Sequence, residues 1–374
     1  MNLEQIRHEM FPVLEKMTYL NTAANGLVSK KAIKAAEEWL KEREYGGVHW
    51  LEWYNEMDKL RGEIAKLINA EPSEIGFVQN TTIGLNMIAN SIQWGENSNI
   101  VTVDMEFPAN RYIWQVVSRK YGVELRVIEN VNGSLPIEKF EEAVDENTKL
   151  IAISWVQYLN GYTVNLEELS RIAKKHGALL VIDGIQGVGS LKLDVKKTNI
   201  DFLAVGGHKW LMGLHGSGFI YIKKELLREL DFPFAGWLGT KEPFNFDKVQ
   251  YEPSDDARIF ELGNPAFIGY RVLYESIKLI NKIGIENIEK RNLQLAKYLL
   301  ENKPEHVKVP GFLNTGEPKA PIINIEVKDV EQTYNRLLKS GIIIAKRGKG
   351  LRISPHFYNS EDDVDKLLSA LKSK

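Results

Sequence analysis

The amino-acid sequence predicts an α/β fold: a mostly parallel central sheet flanked by helices, with a small α+β unit towards the C-terminus. Short β-branched runs alternate with helix-like periodicity from EIGFVQ at 74–79 to GSGFIYI at 216–222, the pattern of strands joined by crossover helices. The runs are apolar on both faces, which is typical of parallel strands covered by helices. The chain has 374 residues, more than a single hydrophobic core usually includes.

Composition narrows the class of protein. The 48 basic and 50 acidic residues are interspersed and nearly cancel, so no strong field favours nucleic acid as a partner. The chain has no cysteine, which excludes disulfides, zinc–thiolate sites, iron–sulfur clusters and cysteine nucleophiles. No apolar run reaches the roughly 18 residues of a membrane span, and MNLEQIRHEMF lacks the apolar stretch of a secretory signal. We therefore expect a cytoplasmic protein without a membrane partner.

The elements follow in order along the chain. Helical periodicity begins in KKAIKAAEEWLKERE and returns over about 52–69. Four strand–helix pairs come next: EIGFVQ with a helix from Thr82, NIVTVD with a helix from about Ala109, ELRVIE with PIEKFEEAV, and TKLIAISWV with NLEELSRIAKKHG. Gly177 stands where a helix C-cap glycine belongs. The strands ALLVID, DFLAVG and GSGFIYI complete the predicted sheet.

The C-terminal third has its own alternation of predicted strands and helices. A long helical region is predicted from about Asn264 to Leu300. The runs HVKVP, PIINIEVK, GIIIAKR and LRISPHF follow, with helices near 330–339 and from about Ser360. We predict an N-terminal segment over 1–20 that packs against one of two units, a large domain over 21–280, and a small α+β domain over 281–374.

Two polar residues follow neighbouring strands of the predicted sheet. ALLVID ends on Asp183, and Lys209 lies in AVGGHKWL after the next strand. Ligands bind at the carboxyl ends of parallel strands, so both side chains, and Gln186 from the following turn, are expected on one rim. A lysine in an apolar site has a lowered pKa and becomes a nucleophile. The alternatives are a helix N-cap or structural ion pair for Asp183, and a surface lysine after a tight turn for Lys209.

A third element lies in FVQNTTIGLN. Thr81 and Thr82 stand where a strand turns into a helix, so their hydroxyls and nearby amides form an anion site. The alternative is a threonine N-cap, expected for one of the two in any case. An amine, a carboxylate and an anion site together fit the aldehyde, ring nitrogen and phosphate of pyridoxal 5′-phosphate.

The motif VIDGIQ…GGHKW, with YLNTAA at 19–24 and LRISPHFYNSEDDVDKLL at 351–368, resembles the class V aminotransferase family of fold type I pyridoxal-phosphate enzymes. That family includes cysteine desulfurases, selenocysteine lyases, kynureninases and isopenicillin-N-epimerase-like proteins. The resemblance implies that Lys209 carries the cofactor as a Schiff base. It also implies that Asp183 faces the ring nitrogen, that Gln186 contacts the phenolic oxygen, and that Thr81, Thr82 and His208 lie at the phosphate end.

Further roles rest on the same resemblance. Phe107, in EFPANRYIW, stands where desulfurases of the family carry a histidine stacked on the ring; the alternative is a core phenylalanine. Arg352 matches the arginine that holds the substrate α-carboxylate; the alternative is a plain surface charge. Asn21 is expected beside the substrate. The family is expected to form homodimers, which makes Asn264 a candidate phosphate ligand from a second subunit.

The absence of cysteine limits the reactions that this chain can catalyse. Desulfurase chemistry needs a cysteine to receive sulfur as persulfide, so a persulfide-forming cysteine desulfurase is excluded. Transamination needs only Lys209 to move the proton, so we predict an aminotransferase acting on the α-amino group of an amino acid. The alternatives are a cyst(e)ine or selenocysteine lyase, which needs a leaving group on the substrate, and an epimerase, which needs a second acid such as Tyr158 or His208. A catalytically silent pyridoxal-phosphate-binding protein is the alternative from another class.

Overall fold

The structure, a computed structural model, describes residues 2–47, 49–247, 249–314 and 316–372. Its strands are β1 Thr18–Tyr19, β2 Ile75–Val78, β3 Asn99–Val103, β4 Glu124–Ile128, β5 Thr148–Ser154, β6 Leu179–Asp183, β7 Phe202–Gly206, β8 Gly218–Ile222, β9 Ile323–Ile325, β10 Ile342–Ile343, β11 Ala345–Arg347 and β12 Gly350–Ile353. Its helices are α1 Leu3–Met10, α2 Lys30–Glu44, α3 Trp50–Ile68, α4 Thr81–Ser91, α5 Ala109–Tyr121, α6 Ile137–Ala143, α7 Leu166–Lys175, α8 Val195–Thr198, α9 Phe267–Ile283, α10 Ile285–Asn302, α11 Val330–Lys339 and α12 Glu361–Lys372. Within these described ranges, no helix combines the length and apolarity needed to cross a bilayer.

Seven strands form the central sheet in the order β2-β8-β7-β6-β5-β3-β4. The pairings from β7 through β6, β5 and β3 to β4 are all parallel. Only the pairings of β8, with β2 and with β7, are antiparallel in this sheet. The predicted α/β fold with a mostly parallel sheet is therefore confirmed.

Both faces of the sheet are buried, and strand residues alternate between two apolar clusters. In β6, Leu180 and Ile182 belong to one cluster and Val181 to the other. Helices α4 and α5 cover one face, and α3, α7 and α9 cover the other. Because apolar side chains occupy both faces, the polar groups of these strands are concentrated at the strand ends.

The C-terminal region differs in two details from the prediction. The helical stretch after residue 264 is two helices, because Gly284 between α9 and α10 has a φ of 88°, a left-handed conformation that glycine adopts without strain. The run GIIIAKR is two strands, because β10 pairs with β1 while β11 pairs with β12. Strands β11, β12 and β9 form a separate antiparallel sheet.

The N-terminal segment contacts both parts of the molecule, whereas we had predicted contact with one. Strand β1 pairs in parallel with β10, and Asn21 forms a bridge with Ser354. Ile6 and Phe11 instead lie in the apolar cluster that includes one face of the central sheet. The domain boundaries near residues 20 and 280 stay predictions.

A buried ion pair joins the first helix to the last. Arg7 donates through Nη1 and Nη2 to the two carboxylate oxygens of Asp363, the Nη2 bond to Oδ1 being 3.0 Å long. The Asp363 side chain is fully buried. Burial by itself raises the pKa of Asp363, but hydrogen bonds from Arg7, Asn359 and the Ser360 amide outweigh it, so the pKa lies below its usual value. The pair therefore stabilises the fold only while the carboxylate is ionised.

We expect Arg7→Met to lower the free energy of unfolding by about 3–5 kcal/mol at pH 7, because it leaves a buried carboxylate without its cation. The folded pKa of Asp363 is depressed, so this stabilisation is present above its unfolded value of about 4 and is lost as the pH falls through the folded value. Urea unfolding of wild type and variant at pH 7 and at lower pH measures the difference, which should shrink in acid. Lys366→Met, which removes an exposed cation from the same helix as Asp363, is the control; an equal loss in both variants would contradict the assignment.

Candidate active site

Asp183 is the last residue of β6 and lies opposite Ser154 of β5 and Ala204 of β7. It caps no helix: the Ile185 amide donates to Oδ1 at 3.0 Å, within the turn that follows the strand. Among the described residues, no cation lies within ion-pairing distance of this buried carboxylate. Burial raises the pKa of Asp183 to about 6, against the opposing effects of the Ile185 amide and of Lys209. Neither the N-cap nor the ion-pair alternative describes this residue.

Lys209 follows β7 on the same rim. Its amine lies 5.8 Å from the centroid of the Phe107 ring, and within the described ranges no carboxylate pairs with it. Burial lowers the pKa of Lys209 to about 8; Asp183 opposes this shift, and Arg352 and Arg347 add to it. The surface-lysine alternative is therefore wrong. At pH 7 to 8 a substantial fraction of this amine is neutral and nucleophilic.

The backbone around Lys209 contacts Gly26, in the loop before α2. The Gly26 amide donates to the His208 carbonyl at 2.9 Å. A Cβ atom at Gly26 would lie 2.0 Å from the carbonyl oxygen of Lys209, so only glycine permits this approach. This close contact helps to fix the position of the Lys209 backbone.

Thr81 and Thr82 begin α4, close to the carboxyl end of β2. The N-cap of this helix is Asn80, whose Oδ1 accepts from the Ile83 amide at 2.9 Å. The expectation that one threonine caps the helix is therefore wrong, because the asparagine does so. The Thr81 hydroxyl is buried without a partner, whereas Thr82 is exposed. A buried free hydroxyl at a helix N-terminus suits an anion.

His208 packs against a second histidine beside Lys209. Its ring stacks on His215 with centroids 4.3 Å apart and planes 23° from parallel. The pKa of His208 is lowered to about 4, chiefly by burial and also by the charges of Lys209 and His215. The imidazole is therefore neutral near pH 7. Its contact with a cofactor phosphate stays a prediction.

Gln186 is buried in the turn after Asp183, and two neighbours fix its amide. Nε2 donates to the Ala23 carbonyl at 3.0 Å, and Oε1 accepts from the Trp210 indole at 2.8 Å. The Trp210 carbonyl lies 3.1 Å from Nε2 of His356, whose pKa is lowered to about 3 by burial. Since a carbonyl only accepts, the neutral imidazole donates through Nε2. One N–H of Gln186 remains for a ligand.

Arg352 is 2% exposed, so the plain surface-charge alternative is wrong. Nη1 donates to the Tyr158 carbonyl at 2.8 Å, whereas Nε and Nη2 are buried without a partner. Burial lowers the pKa of Arg352 to about 10, and Arg347 contributes. The buried Oδ1 of Asn21 also lacks a partner. Unpaired buried polar groups are costly, so these atoms indicate a bound anion and a bound donor.

Phe107 is 44% exposed, so the core-phenylalanine alternative is also wrong. Its ring meets that of Tyr158 edge to face, with centroids 5.2 Å apart, and its other neighbour is the Lys209 amine. A ring in this position offers a face for stacking on a planar ligand.

Asn264 makes no hydrogen bond to the described residues around Lys209. It is exposed, and the Tyr54 hydroxyl donates to its Oδ1 at 2.8 Å. Within the described residues no hydrogen bond joins Asn264 to the Lys209 surroundings. Its proposed role therefore requires a second subunit and stays a prediction.

Sequence reasoning missed Glu106, the buried neighbour of Phe107. This carboxylate accepts from the Ser154 amide at 2.7 Å, from the Ser154 hydroxyl, from Gln157 at 3.0 Å and from Asn110 at 2.9 Å. Burial raises its pKa to about 7. These bonds fasten the Phe107 loop to the end of β5. The only signal in the sequence was an acidic residue beside EFPAN's phenylalanine, which by itself does not distinguish a buried carboxylate from an exposed one.

The residues present fit pyridoxal 5′-phosphate. The partly accessible amine, the buried carboxylate and the unpartnered Thr81 hydroxyl lie at the ends of β7, β6 and β2. These three strand ends share one rim, because Val78 and Gly206 both lie opposite Gly218 of β8. The donor set matches an aldehyde, a ring nitrogen and a phosphate.

Comparisons with known proteins find matches over nearly the whole chain. The model of the family described as Aminotransferase class-V matches residues 18–367. An uncharacterized aminotransferase, YcbU, of Bacillus subtilis (strain 168) is 29% identical over 99% of this chain and 98% of its own length. A probable cysteine desulfurase of Pyrococcus abyssi is 31% identical over 99% of this chain and 96% of its own length.

A solved structure supports the fold. A variant of C-DES, a cystine C–S lyase, with glycine covalently linked to its PLP cofactor, has a TM-score of 0.91. The match covers 98% of this chain and 99% of that chain at 22% identity. At this identity the likeness concerns the fold.

We expect the amine of Lys209 in cofactor-free protein to be acylated with a pH midpoint near 8, because only a neutral amine reacts. Trace labelling with acetic anhydride between about pH 6 and pH 11, followed by peptide mass spectrometry, measures the profile of each lysine. Exposed lysines in the same digest are internal controls, since an ordinary lysine titrates near pH ~10.4. A Lys209 profile that coincides with theirs would refute the lowered pKa.

Proposed function

Because the chain belongs to the aminotransferase class-V family, whose enzymes use pyridoxal 5′-phosphate, we propose that it is an aminotransferase acting on the α-amino group of an amino acid. The single observation that carries the proposal is the unpaired, buried guanidinium face of Arg352 close to the Lys209 amine. A carboxylate clamp and a base are the two groups that amino-group exchange requires from the protein.

We assign the cofactor contacts to residues already described. Lys209 would bind the cofactor covalently, Asp183 would face its ring nitrogen, and the free N–H of Gln186 would donate to its ring oxygen. Thr81 and the first amides of α4 would hold the phosphate, and Phe107 would stack on the ring. When bound, pyridoxal phosphate supplies an electron sink for charge that develops at the substrate Cα.

The substrate is oriented by two side chains. Arg352 Nε and Nη2 form the fork that binds a carboxylate in a bidentate manner. The unpartnered Oδ1 of Asn21 would accept a hydrogen bond from the substrate. Because Arg352 is fixed by the Tyr158 carbonyl, the bound carboxylate is held in one orientation relative to Lys209.

Lys209 would act as the base at the substrate Cα. With a pKa lowered to about 8, its Nζ can accept a proton from the substrate Cα near neutral pH. Transamination needs no second acid, because the amine that removes the proton can also return it. An epimerase needs a second acid, and His208 is neutral near pH 7 with its pKa at about 4, which disfavours it. Tyr158 remains the candidate acid for that alternative.

A second candidate function is a C–S lyase. The chain is 31% identical to a probable cysteine desulfurase, yet it has no cysteine to carry a persulfide. A related reaction that uses no protein cysteine would release the sulfur as part of a small-molecule product. The silent binding-protein alternative is disfavoured by the nucleophilic state of Lys209.

A substrate panel tests the proposal. Holoenzyme is incubated with single amino acids, with and without 2-oxo acids, and products are identified by mass spectrometry. Amino-group exchange that requires the oxo acid is expected; release of sulfide and pyruvate without it would replace the proposal by the lyase. Borohydride should fix the cofactor on the peptide that contains Lys209, and Lys209→Ala should abolish both this linkage and turnover.

We expect Asp183→Asn to retain cofactor but to lower kcat by about 10²- to 10³-fold, since a neutral amide no longer holds the ring nitrogen protonated. Cofactor absorbance measures retention and steady-state kinetics measure the loss. Asp201→Asn is a matched control, because this aspartate accepts from the Leu180 amide at the opposite ends of β6 and β7 and should leave kcat nearly unchanged. Near-normal turnover of Asp183→Asn would count against the assigned role.

A further inference from the structure

A second arginine shares the face of the small sheet that carries Arg352. In the antiparallel pairing of β11 with β12, Ala345 lies opposite Arg352 and Arg347 lies opposite Gly350. Residues two apart on a strand point to the same side, so Arg347 and Arg352 are diagonal neighbours on one face. The residue opposite Arg347 is a glycine, so no side chain lies between this arginine and its neighbouring strand.

This face packs against the segment that follows β5 in the large sheet. Arg352 donates to the Tyr158 carbonyl at 2.8 Å, and Asn324, opposite Arg352 on β9, donates to the Leu159 carbonyl at 2.9 Å. Asn324 also donates to the Arg347 carbonyl at 3.1 Å. These bonds hold the Arg352 side chain and the Arg347 backbone against the segment that follows β5.

Neither arginine has a carboxylate partner within the described part of the chain. The hydrogen bonds of their guanidinium groups go to backbone carbonyls, Arg352 to Tyr158 and Arg347 to Lys346 at 2.8 Å. Lys346, on the opposite face of the same strand, is paired with Glu331. Lys346, on the other face, thus has a carboxylate partner. Among the described residues, Arg347 and Arg352 have none.

The charges of both arginines affect the Lys209 amine. Arg352 and Arg347 each lower the pKa of Lys209, and Arg347 also lowers that of Arg352. Both arginines therefore lie within electrostatic range of the Lys209 amine, and Asp183 is the carboxylate whose charge opposes their effect on its pKa. The α-carboxylate of a substrate neutralises one arginine and leaves the second without an anion.

We propose that Arg347 forms a subsite for a distal carboxylate, so that the amino donor and acceptor are dicarboxylic: an acidic amino acid and its 2-oxo acid. This rests on the proposed aminotransferase function. Arg352 holds the α-carboxylate, and Arg347, partly exposed at the mouth of the same face, holds the carboxylate at the far end of the side chain. A guanidinium suits this role because it binds a carboxylate through two parallel hydrogen bonds.

Anion binding tests the subsite without turnover. Calorimetric titration of holoenzyme with glutarate and with butyrate, at equal ionic strength, compares a dicarboxylate with a monocarboxylate of similar length. Wild type should bind glutarate at least about tenfold more tightly. Arg347→Gln should weaken glutarate by about tenfold or more and butyrate by less than about threefold. Arg352→Gln should weaken both.

Two further variants serve as controls for the Arg347 subsite. Lys346→Gln removes a cation from the adjacent position on the opposite face and should change neither affinity. Arg347→Lys keeps the charge but loses the fork, and should show an intermediate loss for glutarate alone. Equal weakening of both anions by Arg347→Gln would mean that the two arginines share one carboxylate, and would overturn the subsite; so would equal affinities in wild type.

Kinetics separate this proposal from the function on which it rests. With the subsite, kcat/KM for glutamate and 2-oxoglutarate exceeds that for alanine and pyruvate, and Arg347→Gln removes this preference. Transamination restricted to monocarboxylic substrates would refute the subsite and leave the aminotransferase intact. Selective glutarate binding without any amino-group exchange would leave the subsite intact and refute the aminotransferase.

Discussion

The parallel pairing of β5, β6 and β7 is the constraint on which the candidate site depends. Because adjacent parallel strands end at the same rim, the register that sets Asp183 opposite Ser154 and Ala204 also sets Lys209 beyond the same edge. The backbone bonds of the ladder thus fix the spacing between the carboxylate and the amine more firmly than contacts between their flexible side chains would. Both faces of the sheet are packed with apolar side chains, so the rim is where these polar groups emerge.

Burial tunes the chemistry of these groups in opposite directions. It raises the pKa of Asp183 to about 6 and lowers that of Lys209 to about 8. Both pKa values are therefore shifted towards neutral pH. Desolvation disfavours whichever form carries charge, which explains the opposite signs. Polar groups that find no protein partner, such as Thr81 Oγ1 and Arg352 Nε, surround the same region. A ligand with complementary groups would remove the cost of leaving them unpaired.

The small unit and the loop over residues 23–26 contribute contacts to the same rim. Gly26 contacts the Lys209 backbone, the Ala23 carbonyl accepts from Gln186, and Arg352 is fixed on Tyr158. Each of these contacts joins residues at least 160 positions apart in sequence. The residues that we propose to bind the cofactor therefore come mainly from the large sheet, whereas the arginines that we propose to bind the substrate come from the small sheet. With these assignments, substrate choice could change through β11 and β12 while the sheet that positions the amine is retained.

The sequence by itself determined the α/β class, the order of its elements and the pair Asp183–Lys209, because these follow from local periodicity and from the geometry of neighbouring parallel strands. Through the absence of cysteine it also excluded a persulfide carried on a cysteine of this chain. Only the tertiary structure decided that Asn80 rather than a threonine caps α4, that Phe107 is exposed, that Glu106 is buried, and that Arg347 shares a face with Arg352. These properties depend on which distant segments exclude water from a side chain, and on a strand register that is set by partners far away in sequence, neither of which a local pattern encodes.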